Sequence, residues 1–355
     1  MSAIMSYKLQ IICLKSSLML CFLLLLQPAS AQYNLKELDQ ALINNQKLLG
    51  KDLVMIVWKK GDSIIYKKET GDFKSNTQAP IASCSKWLTA AMVMIMVDEG
   101  KISLDDPVVK YIPEFGKYFK NYITIGQCLS QMTGIDDEGR LLKKLLQRRK
   151  INSLEEEVNG FASREIRANA GNDFWYGNVG LNIAGRVLEI MSKKKFDLLI
   201  KQKLFNPLVM RKTTFSPLDL SAVNPSGGAI STADDYMNFL VMLMNKGKFR
   251  GKQVLSEASV DYLLKTQTNS SQIKYSPKSA EGFNYASGSW VLEQDKNGKA
   301  TTLASPGLFG TWPMINFCRE YAYIVFVKNF LGEDRADIHL EMKKIIDSKI
   351  PSVCK

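Results

Sequence analysis

The sequence predicts an α/β fold of the α+β kind: an antiparallel sheet flanked by helices, formed by both chain ends, with an inserted, mostly helical part. Strand-like runs rich in β-branched and aromatic residues lie near both ends, helical periodicity dominates the middle, and no internal repeat is present. We therefore expect one domain over residues 32–355. Its sheet-containing part covers about 32–110 and 270–355, and its helical part about 111–269.

The N-terminal segment has the order of features that is typical of a secretory signal peptide. Lys8 and Lys15 precede an apolar run over residues 18–26, and the small residues Ala29-Ser30-Ala31 follow it. This order predicts a signal peptide over residues 1–31 that is cleaved after Ala31, with an uncleaved anchor as the alternative. The run is short for a membrane span. We expect a secreted or periplasmic protein with no transmembrane span after cleavage.

The composition is that of a globular protein, with 46% hydrophobic and 10% aromatic residues. The formal net charge of +12 says nothing about fold, and no nucleic-acid motif accompanies it, so no nucleic-acid partner is expected. Residues 140–150 form a concentrated basic segment with leucines at helical spacing. They predict a helix with one solvated face, and a membrane- or polyanion-docking helix is the alternative. The oligomeric state stays unknown.

Four cysteines follow the predicted cleavage site: Cys84, Cys128, Cys318 and Cys354. They include no C-x-x-C pair, which argues against a zinc site and a thioredoxin-like site. Cys84 and Cys128 lie in apolar helical patterns, as buried free thiols do. Cys318 and Cys354 could pair in an oxidising compartment, and the sequence leaves that pairing open.

The elements of the N-terminal part follow from periodicity and turn residues. Residues 35–49 have amphipathic helical spacing that ends at a glycine. Residues 53–58 and 63–68 are β-branched runs joined by a Gly-Asp turn, which predicts a hairpin. Residues 83–99 form a long apolar helix stopped at Gly100.

The remaining elements alternate between helices and strands. Helical periodicity is clearest at residues 179–192 and 233–245. The last quarter returns to strands, predicted at 288–293, 314–317 and 322–328, before a closing amphipathic helix at 335–348.

The chain has one histidine, His339, inside the closing helix pattern. Neither a Ser-His-Asp triad nor a histidine-rich metal site is therefore indicated, and we expect no metal and no cofactor.

The sequence Ser83-Cys84-Ser85-Lys86 offers a lysine as the base instead of a histidine, because residues three apart on a helix share a face. A desolvated lysine can accept a serine proton if its pKa falls from about 10.4. Burial and the positive end of the helix dipole both lower that pKa.

Two further S-x-x-K sequences lack this context. Residues 192–195 lie among solvated lysines at a helix end, and residues 352–355 are the last of the chain. Only Ser83 opens an apolar helix after an extended approach at residues 78–82, so Ser83 is the candidate nucleophile.

A second proton carrier is Tyr176, in Tyr176-Gly177-Asn178. A tyrosine close to cationic groups loses its proton more easily than its ordinary pKa of about 10 suggests. Asn178 could orient Lys86 and bind a substrate carbonyl. A similar triplet at 236–238 lies inside a predicted helix, whereas Tyr176 precedes a helix in a loop. For Tyr176 alone, aromatic packing at a domain junction is the alternative.

Four ordered segments resemble the class C β-lactamase and penicillin-binding-protein-like family of serine hydrolases. They are the nucleophile helix with its Gly-Lys-x-x-Leu-Asp-Asp-Pro turn, a following helical segment, the Tyr-x-Asn segment and a Gly-Gly turn, at 82–111, 123–135, 174–189 and 225–238. The second segment has Gly126-Gln127 and Gln131 where the family commonly has histidines. The resemblance implies a serine β-lactamase-like fold with Ser83 as nucleophile and Lys86 and Tyr176 as proton-transfer partners.

The family's third motif, a lysine or histidine followed by a small residue and glycine, resembles Ser305-Pro306-Gly307. The resemblance implies an oxyanion hole from the backbone N–H groups of Ser83 and Leu308, with Gly307 letting the strand pass close to the substrate. The family's cation at this position helps to bind a substrate carboxylate, and Ser305 removes it. Neutral ester, amide or peptide substrates are therefore favoured over anionic penicillins, and whether Lys299 compensates is open.

These observations predict an exported serine hydrolase that acts on a small-molecule or peptide acyl substrate through an acyl-enzyme at Ser83. A true β-lactamase or D,D-peptidase is one alternative, with the same nucleophile. A non-catalytic envelope protein of the same fold is the other, because fold and function separate easily.

Overall fold

An antiparallel sheet drawn from both ends of the chain organises the protein. The computed structural model describes residues 33–137, 151–217, 221–327 and 336–354, so the predicted signal peptide and the basic segment 140–150 lie outside the described residues. In chain order, the strands are β1 (Leu53–Lys59), β2 (Ser63–Thr70), β3 (Ala79–Pro80), β4 (Phe174–Trp175), β5 (Ile230–Ser231), β6 (Lys248–Phe249), β7 (Lys252–Gln253), β8 (Ile273–Tyr275), β9 (Asn284–Tyr285), β10 (Trp290–Gln294), β11 (Ala300–Ala304), β12 (Trp312–Asn316) and β13 (Tyr321–Val327).

Helices pack around this sheet and fill the middle of the chain. In chain order, they are α1 (Glu37–Asn44), α2 (Gln46–Leu49), α3 (Ser85–Asp98), α4 (Glu114–Lys117), α5 (Ile125–Leu129), α6 (Leu154–Ser163), α7 (Val179–Ser192), α8 (Phe196–Ile200), α9 (Ala233–Met244), α10 (Glu257–Leu264) and α11 (Ala336–Lys349). Short 3₁₀ turns lie at Ala82–Cys84, Val108–Lys110 and Lys278–Ala280, and a π-helical turn at Lys201–Phe205. No helix among the described residues has the length and apolarity that a bilayer crossing requires.

The main sheet joins the two ends of the chain. Its strands lie in the order β2-β1-β13-β12-β11-β10-β9, and each pair is antiparallel. The junction is the long pairing of β1 with β13, from Leu53 opposite Val327 to Lys59 opposite Tyr321. The predicted fold class is therefore confirmed, as is the hairpin of β1 and β2.

Strand β13 explains why helices cover both faces of the sheet. All seven of its residues are buried, and successive side chains of a strand point to opposite faces. Ile324 and Phe326 enter the large core that also contains α3, α7 and α9. Tyr323 faces the other side, where its hydroxyl donates to the carbonyl of His339 on α11 at 3.2 Å. The sheet is thus a central layer between helices.

Helix α3 begins two residues after Ser83, the candidate nucleophile, and is buried in the core of the protein. Every residue from Ser85 to Met96 is buried, as expected of a helix that is apolar on all sides. The helix packs against α7 and α10, and its N-terminus lies beside the end of β11. This placement brings the start of α3, the start of α7 and the end of β11 together.

Several predicted boundaries need correction. The helix expected over 35–49 is divided at Asn45, whose side-chain amide donates to the Ala41 carbonyl at 2.9 Å and so competes with the helical backbone. The helix expected to start at Ser83 begins at Ser85, because Ser83 lies in the preceding 3₁₀ turn. Strands β9 and β11 were not predicted, since Asn284–Tyr285 is very short and Ala300–Ala304 is small and polar.

The cysteines and the histidine take structural positions. Cys318 and Cys354 form a disulfide, which resolves the pairing that the sequence leaves open. Cys84 and Cys128 are buried free thiols, as predicted. His339 is buried in α11, where its ring stacks on Trp312 with centroids 4.3 Å apart.

Candidate active site

Ser83 is presented by a short, strained turn at the entrance to α3. It is half-buried, between the buried residues Ala82 and Cys84 of the same 3₁₀ turn. Ala82 has φ of 44°, in the left-handed region that non-glycine residues seldom adopt. The turn is held from behind by the Tyr236 hydroxyl, which donates to the Cys84 carbonyl at 2.8 Å. Strained backbone of this kind is often found at functional sites, where the surrounding structure stabilises it.

Lys86 lies one turn further and is 1% exposed. Its Nζ donates to the Ser83 hydroxyl at 3.2 Å, to Asn178 Oδ1 at 3.4 Å and to the Ser226 carbonyl at 2.9 Å. An ammonium has three N–H donors, whereas a neutral amine has two and one lone pair. Only Ser83 among the three partners can itself donate a proton. A neutral Lys86 therefore satisfies all three contacts only when its lone pair faces the Ser83 hydroxyl.

Tyr176 borders the same amine. Lys86 Nζ lies 4.8 Å from the centroid of the Tyr176 ring. On its other sides the ring packs against Trp290 and Tyr285, with centroids 5.1 Å and 6.1 Å away. Both partners are fully buried, so they fix the plane of the phenol. The aromatic packing considered for Tyr176 is thus present, and it holds the ring against Lys86.

The backbone that follows Tyr176 is anchored at each residue. The Gly177 carbonyl accepts a hydrogen bond from Gln131 Nε2 at 3.2 Å. The Asn178 N–H donates to Asp137 Oδ2 at 3.2 Å, and the Asn178 carbonyl accepts from the Ser226 hydroxyl at 2.8 Å. A Cβ at Gly177 would collide with the Asp137 carboxylate. These contacts fix the direction of the Asn178 side chain toward Lys86.

Sequence reasoning did not identify Asp137 or Ser226 as parts of this site. Ser226 stands in the Pro-Ser-Gly-Gly turn that resembles the family, and this was the one available signal. Asp137 is 41 residues from the amide that it binds, and nothing in its local sequence distinguishes it.

Ser305 follows the end of β11 and is 3% exposed. Its hydroxyl donates to the Gly288 carbonyl at 3.0 Å and lies 3.4 Å from the Ser83 carbonyl, so it joins the nucleophile turn to the sheet. Lys299 does not replace the missing cation. It precedes β11 at the opposite end of the strand, and its amine pairs with Asp261 at 3.8 Å.

Gly307 lies where the strand end passes the nucleophile turn. A Cβ at this position would collide with the Ile81 carbonyl and come within 3.0 Å of Cys84 Sγ. Its own N–H is occupied by the Thr311 carbonyl at 2.8 Å. In the described part of the chain, the N–H groups of Ser83 and Leu308 have no hydrogen-bond acceptor. The lack of an intramolecular acceptor is one condition that an oxyanion hole requires of its donors.

Cys84 is the neighbour most similar in chemistry to the nucleophile. Burial raises the pKa of its thiol far above the ordinary value. The thiol therefore stays protonated, and it is buried 3.6 Å from the Thr311 carbonyl. Reactive cysteines have lowered pKa values and are exposed, so Cys84 does not compete with Ser83.

The structure thus brings Ser83, Lys86, Tyr176 and Asn178 into one group, with Ser305 attached to it. The competing sequences are elsewhere. Ser192 ends α7 beside exposed lysines, and Tyr236 is a buried residue of α9 that supports the Cys84 carbonyl.

Comparisons with known proteins identify the family and the fold. A family model described as Beta-lactamase matches residues 46–344. "Protein flp" of Staphylococcus aureus (strain MW2) is 28% identical over 142 residues, which are 39% of this chain and only 28% of that relative. The structure of a candidate β-lactamase from Bacteroides dorei DSM 17855 has a TM-score of 0.78 at 25% identity and covers 90% of this chain and 99% of its own. EstCE1, described as a hydrolase with promiscuous acyltransferase activity, has a TM-score of 0.71 at 18% identity. The match covers 88% of this chain and 97% of EstCE1.

Proposed function

The chain belongs to the β-lactamase family, and from this premise we propose that it is a serine hydrolase that forms an acyl-enzyme at Ser83. The observation that carries the proposal is the hydrogen bonding of Lys86. Its three contacts admit a neutral amine only with the lone pair directed at Ser83. A buried amine in that orientation is a general base for the serine hydroxyl.

In the acylation step, Ser83 Oγ forms a bond to the substrate carbonyl carbon while its proton passes to Lys86. The carbonyl oxygen becomes an oxyanion that accepts hydrogen bonds from the Ser83 and Leu308 amides. The bond to the leaving group then breaks, and Tyr176, beside Lys86, returns the proton to that group. In the second step, water attacks the acyl carbon while its proton passes to the Lys86 and Tyr176 pair. The bond between the acyl carbon and Ser83 Oγ then breaks, the acid product leaves, and the pair gives that proton to Ser83 Oγ.

The substrate that fits this site is an uncharged ester, amide or peptide acyl group. Ser305 directs its hydroxyl to backbone carbonyls, and Lys299 is held at the far end of β11. The described site therefore has no cation at the third motif to bind a substrate carboxylate. A β-lactamase or D,D-peptidase remains the alternative, and covalent labelling of Ser83 by a fluorescent penicillin would favour it.

The nucleophile is tested by Ser83→Ala. We expect the variant to fold, to lose labelling by a fluorophosphonate probe and to hydrolyse p-nitrophenyl esters at the background rate, because no other group can hold the acyl intermediate. Ser192→Ala, in the competing S-x-x-K sequence, is the control and keeps both activities. A Ser83→Ala variant that labels as well as the wild type would refute the proposal, and a wild type that neither labels nor turns over would indicate a non-catalytic protein.

We also propose that the protein is exported to the periplasm or the medium. The signal-like order of residues 1–31 supports this, and so does the Cys318–Cys354 disulfide, because such bonds persist in oxidising compartments. Expression of the full chain in a bacterial host and mass measurement of the product should give an N-terminus at Gln32. A product that keeps residues 1–31 in the cytosol would contradict export.

A further inference from the structure

A buried chain of hydrogen bonds leads from Lys86 to helices α7 and α6. The Ser226 carbonyl accepts from Lys86 Nζ at 2.9 Å, and the Ser226 N–H donates to Asn182 Oδ1 at 2.9 Å. Asn182 Nδ2 in turn donates to Glu157 Oε2 at 2.9 Å. Asn182 and Ser226 have no exposed surface, and Glu157 is 9% exposed. The chain therefore joins α3, the turn at Ser226, α7 and α6.

The side chain of Asn182 has one possible orientation in this chain. Its two partners are of opposite kinds, because a backbone N–H only donates and a carboxylate only accepts. A flipped amide would set a donor against the Ser226 N–H and an acceptor against the Glu157 carboxylate, so both hydrogen bonds would be lost in a buried site. Glu157 thus fixes the amide of Asn182. That amide is the nearer of two acceptors for the Ser226 N–H, at 2.9 Å, and Asn224 Oδ1 is the other, at 3.2 Å.

Ser226 controls two groups of the active site at once. Its carbonyl accepts from Lys86, and its hydroxyl donates to the Asn178 carbonyl at 2.8 Å. The turn is further attached to α3, since the Thr89 hydroxyl donates to the Pro225 carbonyl at 2.7 Å. A displacement of Ser226 would therefore change both acceptors that direct the N–H groups of Lys86.

We propose that Asn182 and Glu157 are positioning residues for Lys86. They hold the Ser226 carbonyl where it takes one N–H of the neutral amine, so that the lone pair faces Ser83. Neither residue touches the reacting atoms, and the inference rests on the proposed function because only a lysine that acts as a base needs this orientation. Small displacements of a catalytic group can cost about 10²-fold in rate.

The test is an exchange of the amide and the carboxylate. Asn182→Asp replaces the donor to Glu157 with an acceptor, and we expect kcat for p-nitrophenyl ester hydrolysis to fall about 10²-fold with little change in KM. Glu157→Gln combined with Asn182→Asp restores a donor at position 157 and an acceptor at position 182, with the charge conserved. This double variant should recover kcat to within about ten-fold of the wild type.

Asn316 provides a matched control on the other side of the sheet. It is also buried, its Oδ1 accepts from the Arg319 N–H at 3.0 Å, and its Nδ2 donates to Asp347 at 3.3 Å. Asn316→Asp therefore makes the same chemical change far from Lys86. We expect a lower Tm and an unchanged kcat for the folded enzyme.

Failure of the inference differs from failure of the proposed function. If the wild type is not labelled at Ser83 by a fluorophosphonate, the proposed function is wrong. If the wild type is labelled, the inference is overturned by an Asn182→Asp variant with wild-type kcat. It is equally overturned by a double variant that folds and is as slow as Asn182→Asp. If Asn182→Asp does not fold, the double variant is compared directly with the wild type. A kcat within about ten-fold of the wild type supports the inference, and a folded double variant with a kcat about 10²-fold lower overturns it.

Discussion

Ser305 is a short, neutral residue at the position of the third motif. The resemblance to class C β-lactamases places a lysine or histidine at this position, where it helps to bind a carboxylate. Here a short neutral side chain donates to the Gly288 carbonyl, and the nearest alternative in the sequence, Lys299, pairs with Asp261. Under the proposed function, we therefore expect this position to attract an anionic substrate less strongly than a lysine or histidine would.

Ser305→Lys should restore that attraction. We expect the ratio of kcat/KM for an anionic chromogenic cephalosporin to that for a neutral p-nitrophenyl ester to rise about ten-fold or more, since a hydrogen bond to a charged group contributes about 1.5–3 kcal/mol. Lys299→Ala is the control and should leave the ratio unchanged. An unchanged ratio in a folded Ser305→Lys variant would show that another feature excludes carboxylates.

The site residues that the sequence could predict are those that lie in short local motifs. Ser83 and Lys86 are three residues apart, and Tyr176 and Asn178 are two apart, so their relation follows from helix or loop geometry. Asn182 and Glu157 are 25 residues apart, and Asn182 and Ser226 are 44 apart. Such contacts depend on how α6, α7 and the Ser226 turn pack, which local spacing does not encode.

At the scale of elements, the turn that follows α3 is stabilised by one carboxylate. Asp106 accepts hydrogen bonds from the Ser103 N–H at 2.8 Å, from Lys110 Nζ at 2.7 Å and from the Tyr111 hydroxyl at 2.7 Å. Burial raises the pKa of Asp106, but these hydrogen bonds outweigh it and lower the pKa to about 2. The ionised form is thus favoured in the folded protein.

This shift gives stability a defined pH dependence. The pKa of Asp106 is about 2 in the folded protein and near 3.8 in the unfolded chain. The ionised carboxylate therefore stabilises the folded protein fully when the pH is above 3.8, and this stabilisation is lost as the pH falls toward about 2. Asp106→Asn should therefore lower Tm by about 2–4 °C at pH 7, with the difference shrinking below about pH 4. The exposed neighbour provides the control, as Asp105→Asn should have little effect. A difference that persists unchanged at pH 2 would contradict the assignment.

Elements with strong patterns were predictable, and elements defined by pairing were not. Helix α7 and the β1–β2 hairpin have clear periodicity and turn residues, and the structure has them where the pattern indicates. Strand β11 has the sequence Ala-Thr-Thr-Leu-Ala, whose extended form depends on β10 and β12 on either side. The division of the first helix at Asn45 depends on a single side-chain hydrogen bond, which periodicity does not reveal.

At the scale of the whole molecule, a disulfide attaches the last described residues to the sheet. Cys318 follows β12, and Cys354 lies 36 residues later, so the bond encloses β13 and α11. Cross-linking a loop of this length lowers the entropy of the unfolded chain, which corresponds to about 3–4 kcal/mol. The disulfide therefore stabilises the part of the chain that contains β13, the strand that pairs with β1 from the other end of the chain.

Cys354→Ser should lower the free energy of unfolding by about 3–4 kcal/mol, measured by urea denaturation under oxidising conditions. The internal control is the same comparison in excess dithiothreitol, where wild type and variant should converge. Equal stability of the two proteins without reductant would show that the bond contributes nothing to the folded state.

The burial of Lys86 has a practical consequence for handling the protein. Its amine is enclosed by three oxygen atoms, and the residue is 1% exposed. Amine-directed coupling reagents react with accessible lysines on the outside, such as Lys110 and Lys117. The protein can therefore be attached to a solid support through its surface amines while the amine beside Ser83 stays unmodified.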